Sequence, residues 1–263
     1  MQEFLLHSYL PRLNMLKRER QAYILHQVNL HNKVLSSTLS SEINVSEDTI
    51  RRDLIELAEE GKIIKVHGGA LSQSFSQFHF PSSNFYSQSG KNIIARKAVE
   101  LIEDGMCVLT GGGTTIIEMA RCLPHHIRAT FITGSIPAII EYLNHPNIEV
   151  IVIGDKISKN SKITVGPESI NRIRQIKPDL CFLGINAIDM KHGITDNDWE
   201  VVEVKKAMIE SAQKTVCLTI AEKLNTFQPI KICDIDKIDV LITELDASDP
   251  LLIPYVNSDI KVF

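Results

Sequence analysis

Between Ser46 and Gly61 the apolar residues Ile50, Leu54 and Leu57 recur at i, i+4 and i+7, the spacing of one buried stripe on an α-helix. Ser46, just ahead, offers a hydroxyl that can accept a bond from an unpaired first-turn amide. Glu47 and Asp48 follow it with the sign that suits the positive end of a helix dipole. Gly61 supplies a stop after Glu59-Glu60. Upstream, Leu39 and Ile43 form the inner side of a short helix over about 36–43, and Asn44 sits at a turn where a left-handed backbone is tolerable. Ile24, Leu25 and Val28 give an inner face to a helix over about 17–30. Beyond Gly61, Ile63, Ile64 and Val66 read as a strand, and Gly68-Gly69 permits a tight reversal. Three helices followed by a β-wing make a winged helix-turn-helix.

From Lys91 the pattern changes. Short continuous apolar runs at 107–110, 129–133, 149–153, 180–185, 215–220, 240–243 and 260–263 alternate with helical patterns. The helices are expected at 93–102, 114–122, 136–143, 168–176 and 200–212, with a short one near Leu251. Continuous apolar runs belong to strands covered on both faces, and the alternation predicts a layered α/β fold with a mostly parallel sheet. The fold class is therefore α/β: an N-terminal winged helix-turn-helix domain, then a larger α/β domain. Residues 72–90 are rich in Ser and Gln and read as a linker. Phe75, Phe78, Phe80 and Phe85 are too many for a purely flexible one, so some are expected to dock. The expected organisation is an N-terminal extension over 1–14, a DNA-binding domain over 15–71, the linker over 72–90 and an effector-sensing domain over 91–263.

Charge tempers the DNA reading. Residues 1–72 carry 9 Lys+Arg and 9 Asp+Glu, so the excess of acid in the chain, net −4, lies wholly in the remainder. No basic tail exists that would bind any nucleic acid, and binding is expected to rely on local sign and on a dimer. At 263 residues, 44% hydrophobic and 23% charged, the chain suits two domains of a soluble protein. No apolar run approaches the ~18 residues of a membrane span, the first residues do not read as a signal peptide, and a cytoplasmic location is expected. The five cysteines include no C-x-x-C, and Cys107, Cys181 and Cys217 lie in strand-like runs, which favours reduced buried thiols. The nine histidines show no ligand spacing. Neither metal nor cofactor is expected.

The candidate chemistry falls in two places. At the start of the third helix Glu47, Thr49, Arg51 and Arg52 can face a DNA groove, where an arginine can hold guanine through two hydrogen bonds. Ser46 and the wing residues Lys65 and His67 can contact phosphate or position the helix. The plainer reading of this face is a solvated helix surface. In the second domain the run Thr110-Gly111-Gly112-Gly113-Thr114-Thr115 follows a strand and opens a helix. Amides at such a terminus point at an anion, and Gly112, Gly113, Thr114 and Thr115 make a cradle for phosphate. The alternative is a tight strand-to-helix turn. Other strand ends contribute Ser135, Gly166, Asn186 to Asp189, and Asp196. Glu203 and Lys205 lie early in a helix, although dense charge there also fits a solvated face. Asp189 and Asp196 could equally serve turns beside Gly193. Lys91 and Lys223 complete the set of effector-binding candidates.

The segment VSEDTIRRDLIELAEEGKIIKVHGGAL resembles the DeoR family of bacterial regulators. So do GGGTT at 111–115, ITGS at 132–135, VGPES at 165–169, FLGINAID at 182–189, GITD at 193–196 and EVKKAMI at 203–209, in family order over nearly the whole chain. The resemblance implies a cytoplasmic transcription regulator, usually a repressor. It also implies a C-terminal domain like the sugar-phosphate isomerases that binds a phosphorylated sugar or related metabolite. The implied partners are a double-stranded DNA operator, that effector, and further copies of the chain in a homodimer or homotetramer. Lys91, Glu203, Lys205 and Lys223 match family positions at the effector pocket. Three departures stand out: the family commonly has Asp where Gly111 stands, Asn where Gly134 stands and often Asp where Ile220 stands. The phosphate-type loop stays while the groups for the rest of a sugar change. Two other functions compete. A sugar-phosphate isomerase or deaminase would need a positioned base, for which Asp189, His192 or Glu203 could be proposed, but no compact acid–base set is present. A protein-interaction module would not need the arginines.

Overall fold

The computed structural model describes residues 15–73 and 86–263. The expected extension over 1–14 and the aromatics Phe75, Phe78, Phe80 and Phe85 lie outside the described residues. The chain divides into two compact units, with the boundary between residues 79 and 80.

The first unit runs α1 (Lys17–His31), β1 (Lys33–Leu35), α2 (Ser36–Ile43), α3 (Glu47–Glu59), β2 (Ile63–Val66) and β3 (Gly69–Ser72). Its core is the set the apolar spacing picks out: Ile24, Val28, Leu39, Ile43, Ile50, Leu54 and Leu57, closed by Ile63 and Ala70. Asn44 turns the chain between α2 and α3 in the left-handed conformation, φ 56°. The wing is a three-stranded antiparallel sheet in the order β1-β3-β2, with Val34 opposite Ala70 and Ile64 opposite Leu71. β1 is not foreseen, because three residues are too few to show a period of two. A polar clasp also joins α1 to α3. Arg20 pairs with the buried Asp53, and Glu56 takes Lys17 Nζ and Gln21 Nε2, each at 2.7 Å.

The second unit begins with α4 (Gln88–Val99), β4 (Cys107–Thr110), α5 (Thr114–Arg121), β5 (Thr130–Thr133), α6 (Ile136–Tyr142) and β6 (Glu149–Val152). It continues with β7 (Lys156–Ile157), β8 (Thr164–Val165), α7 (Pro167–Arg174), β9 (Leu180–Gly184), β10 (Ala187–Asp189) and β11 (Gly193–Asp196). It ends with α8 (Trp199–Ser211), β12 (Lys214–Leu218), β13 (Ile230–Cys233), β14 (Val240–Ile242), α9 (Ile253–Val256) and β15 (Lys261–Val262). All seven strands expected from apolar runs stand in one sheet, ordered β15-β14-β12-β9-β4-β5-β6 and parallel throughout. Leu109, Cys181, Leu183, Cys217 and Leu241 point to one face, where they pack with Ile173 of α7 and Val204 and Met208 of α8. α5 and α6 belong to crossovers that run the opposite way along the sheet, and a uniform right-handed crossover places them on the other face.

β3 reaches Ser72 and α4 starts at Gln88, so ordered elements enter the stretch 72–90 at both ends. The first turn of α4 buries Gly90 and Lys91 rather than large apolar residues, which hides it from a periodicity reading. Short strands are missed as well. The hairpin β7–β8 and the antiparallel sheet β10-β11-β13 offer only two to four residues each.

β4 is the first strand laid down. β5 and β6 extend the sheet to one side of it, and β9 and later strands to the other. The strand order therefore reverses between β4 and β9, and the carboxyl ends of strands at such a reversal are where ligands of open parallel sheets bind.

Candidate functional site

At the start of α3, Ser46 Oγ accepts the Thr49 amide at 3.2 Å and lies 2.9 Å from the Thr49 hydroxyl. Glu47, Arg51 and Arg52 are exposed, Thr49 is half-buried, and Ile50 and Leu54 anchor the opposite side in the core. Asp48 binds both arginines: Arg51 at 3.1 Å and Arg52 through a closer pair. The Arg52 hydrogen bond and charge, followed by Arg51, hold the Asp48 carboxyl below its usual range. Lys65 and His67 are exposed on the wing, at the end of β2 and in the turn to β3. The unit thus presents two arginines on a braced helix, and a carboxylate aligns them from one turn earlier.

In the second unit the glycine loop leads from β4 into α5 at the strand-order reversal. Gly111 N–H binds Phe182 O of β9 at 3.0 Å, which fastens the loop to the neighbouring strand. Gly113 caps α5 at φ 107°, a backbone conformation that L side chains rarely adopt. No side chain caps the first turn of α5, so its amides keep their anion-binding character. Thr114 and Thr115 are buried in that turn.

Three lysines converge beside it. Lys205 Nζ and Asp196 Oδ2 form a buried pair at 2.7 Å, and Asp196 Oδ1 accepts Asn186 Nδ2 at 2.8 Å and the Asn197 amide at 2.7 Å. Burial works to raise the Asp196 carboxyl, but Lys205 and the two hydrogen bonds bring it below its ordinary value. Lys223 Nζ donates to Ile185 O at 3.1 Å and lies 3.5 Å from Asn186 Oδ1, at the end of β9. It has no carboxylate in ion-pair contact. Burial, then the charges of Lys91 and Lys205, lower its pKa to about 7. Lys91 donates to Tyr86 O, and burial lowers it to about 8 against the opposing pull of Glu118, Glu222 and Glu244. Burial and neighbouring cations depress Lys223, and burial depresses Lys91, so buried amines of like charge stand together here.

The other candidates are placed differently. Glu203 is exposed and pairs with Lys206 at 2.8 Å, so the structure does not bring it to the cluster. Two residues along a helix is about 200° of rotation, so Glu203 and Lys205 cannot share a face. Asp189 Oδ1 accepts the amides of Lys191 and His192 and the His192 ring, closing the β10–β11 turn. Ser135 is buried and caps α6 through the Ala138 amide at 3.4 Å. Gly166 stands at the start of α7, where the Asp155 carboxylate accepts the amides of Glu168 at 2.9 Å and Ser169 at 3.3 Å. That helix terminus already holds an anion of the chain's own. Sequence reasoning missed Asp155, and also Asp53, whose place beside Leu54 on the core-facing side of α3 is a readable sign of a buried partner.

Two of the sequence departures acquire a physical setting. A Cβ on Gly111 would meet Leu183 Cδ2 at 3.4 Å and Met208 at 3.8 Å. A Cβ on Gly134 would fall 2.1 Å from Thr164 Oγ1, whose hydroxyl bonds Ile153 O at 2.8 Å. Thr164 occupies the space a side chain at 134 would need. Both glycines border a recess of about 260 Å³, counting the solvent at its mouth, walled by Ile153, Ile163, Ile173, Val204 and Met208. The third departure, Ile220, is buried. The ground behind the glycine loop is apolar.

A winged helix-turn-helix followed by a parallel α/β unit defines a class: DNA-binding regulators that carry a separate sensor domain. Sequence comparison gives the family. The DeoR-like helix-turn-helix domain matches residues 20–75, and the DeoR C terminal sensor domain matches residues 87–245. The chain belongs to the DeoR family of transcriptional regulators. It is 34% identical to the HTH-type transcriptional regulator GolR of Listeria innocua, over 93% of this chain and 97% of that one. It is 33% identical to the HTH-type transcriptional regulator GlpR of Haloferax volcanii, over 89% and 92%. With the HTH-type transcriptional repressor GlcR of Bacillus subtilis the identity is 31%, over 88% and 89%.

Proposed function

We propose that this protein is a repressor of a sugar or related catabolic operon, and that it leaves its operator when a phosphorylated sugar or similar anionic metabolite enters the crevice. The observation that carries the reading is the meeting of Lys91, Lys205 and Lys223 beside the uncapped start of α5, at the strand-order reversal. The phosphate would sit on the amides of Gly112, Gly113, Thr114 and Thr115, with Lys223 and Lys91 as counter-charges. Asp196 would hold Lys205 in place. Arg51, Arg52 and Thr49 would read base edges of double-stranded DNA, with Ser46 and Glu47 shaping the helix start and Lys65 and His67 meeting the backbone. Relatives that carry repressor names, GlcR and a putative aga operon repressor of Escherichia coli, support this direction of control. Catalysis has less support from the carboxylates proposed for it: Asp189 closes a turn and Glu203 faces away. No helix among the described residues is long and apolar enough to cross a membrane, and the protein would act in the cytoplasm. Two copies would read half-sites about one DNA turn apart.

The test is binding to the DNA upstream of the protein's own gene, at stated salt, with and without a panel of phosphorylated sugars. Specific binding released by one compound supports the proposal. Binding indifferent to every anion in the panel overturns the sensing half, and absence of any enriched DNA sequence in selection overturns the DNA half.

A further inference from the structure

The parallel sheet ends on one side at β6, and that edge is unusually apolar. Ile151 is 44% exposed and Val152 49% exposed. On α6, which packs against β5 and β6, Ile140 is 37% exposed, and Leu143, just past its end, is 68% exposed. The edge is also open in its backbone. The amides of Glu149 and Ile153 bind Ala129 O and Thr133 O on the β5 side. In a parallel ladder alternate residues face the neighbour, so Ile151 also faces β5 while Val150 and Val152 turn their N–H and C=O outward. Among the described residues β6 pairs with β5 alone. Open edges are normally blunted by charge, proline or a covering segment, and β6, sequence EVIV, carries only Glu149.

We infer that β6 and α6 form a two-fold interface between copies of this chain, with the two β6 strands paired antiparallel into one continuous sheet. A strand is the occupant that pairs with outward N–H and C=O groups while also bringing apolar side chains to meet Ile151, Val152, Ile140 and Leu143. The chain's own edge does both, as an isologous contact requires. The register follows. Outward residues must face outward residues, so the axis passes through Val150, Ile151 or Val152. An axis through Val150 would lay Ile151 against the Glu149 carboxylate of the second copy rather than against an apolar side chain. An axis through Val152 would set Glu149 against Asp155 of the second copy, a like-charge pair. An axis through Ile151 avoids this, joins Val150 to Val152 by paired hydrogen bonds, and places Ile151 on its own counterpart in a non-hydrogen-bonded pair, where side chains come closest. Because the axis is perpendicular to the sheet, both α6 helices lie on the same face, side by side, and Leu143 and Ile140 are covered. The interface lies wholly within the second unit and does not depend on which effector is bound.

The experiment is sedimentation of the full chain at micromolar concentration, native and substituted. Ile151→Lys sets two cations opposite each other and is expected to halve the particle mass. Val152→Pro removes one outward N–H without touching the ladder to β5, and is expected to weaken association at least tenfold with the fold intact by circular dichroism. Ile151→Cys, oxidised, is expected to give a reducible covalent dimer that the native chain does not form. A native chain that stays monomeric overturns the inference. So does an Ile151→Lys variant of unchanged mass, or failure of the cysteine variant to cross-link, since either places the contact elsewhere.

Discussion

The two charged sites of this molecule treat their cations in opposite ways. At the start of α3 the arginines stand in water, paired with an exposed Asp48. At the strand-order reversal of the second unit the lysines are buried, and among the described residues only Lys205 has a carboxylate in contact. An exposed arginine keeps its charge at any ordinary pH and is screened by salt. A buried lysine surrounded by other lysines gives up part of its charge, and regains it when an anion arrives. The same protein therefore joins a salt-sensitive surface to a proton-sensitive interior.

The sharpest way to break the comparison is to remove the buried carboxylate that contacts Lys205. Asp196→Ala leaves Lys205 buried and unpaired and releases Asn186, and a loss of about 3–5 kcal/mol in stability is expected of such a change. Urea unfolding followed by the near-ultraviolet signal would show it. The cluster would not be a true buried network if Asp196→Ala lost less than 1 kcal/mol. Replacing both partners, as in Asp196→Leu with Lys205→Met, should recover most of the loss.

Next in size is the surface site. Arg51→Ala and Arg52→Ala should each cost about 1–3 kcal/mol of specific DNA affinity, roughly five- to 150-fold, if each grips a base. The salt slope should change little for a base contact and fall by about one for a phosphate contact, so a titration in salt separates the two roles. An unchanged affinity for both variants would move the reading surface away from α3. Asp48→Ala, which frees the arginines, tests whether their alignment matters. Weaker discrimination between operator and mismatched DNA is expected, with little change in non-specific binding.

The pH dependence distinguishes the sites directly. Lys223 titrates at about 7 and Lys91 at about 8, both below the ordinary 10.5. Their cationic forms are the ones that hold an anion, so effector affinity should fall as pH rises through 7 and 8, by up to about tenfold per unit for each proton taken up. Stability runs the other way. The unfolded chain binds these protons below about 10.5 and the folded one only below 7 to 8, so between those limits the second unit should grow more stable as pH rises. Calorimetry of phosphate binding in buffers of different ionisation heat would register the proton uptake. Heats independent of the buffer near pH 7.5 would mean the lysines are already charged.

How much of this was legible in the sequence depends on length and on whether a residue acts locally. The seven strands of the main sheet each lie in an apolar run of the sequence, even β14 and β15, which themselves hold three and two residues, and the three N-terminal helices carry apolar residues at one period, so all are visible in the sequence. β1, β7, β8, β10, β11 and β13 hold two to four residues each and are set by partners far along the chain, as Val34 is by Ala70. The same division runs through the candidate site. Gly113 and Ser46 act within their own turn, and local pattern finds them. Lys223 and Asn186 meet only because β9 and β12 are neighbours. Asp155 reaches the amides of Glu168 and Ser169 across a hairpin. Thr164 fills the space beside Gly134, and no spacing rule connects those two positions.

The smallest expected effect sharpens the contrast between neighbours on one helix. Glu203 and Lys205 look equivalent in a dense run of charge, yet one faces solvent and the other is buried against Asp196. Glu203→Gln removes an exposed pair whose worth is about 0–1 kcal/mol and touches nothing in the crevice. Phosphate affinity and stability should both stay within about 0.5 kcal/mol of the native chain. Lys205→Gln, two residues on, changes charge by the same amount but leaves Asp196 buried without its cation, so both quantities should fall well outside that range. Equal effects of the two substitutions would mean that long-range charge governs the crevice. A large effect of Glu203→Gln alone would mean that α8 turns or shifts when the anion binds.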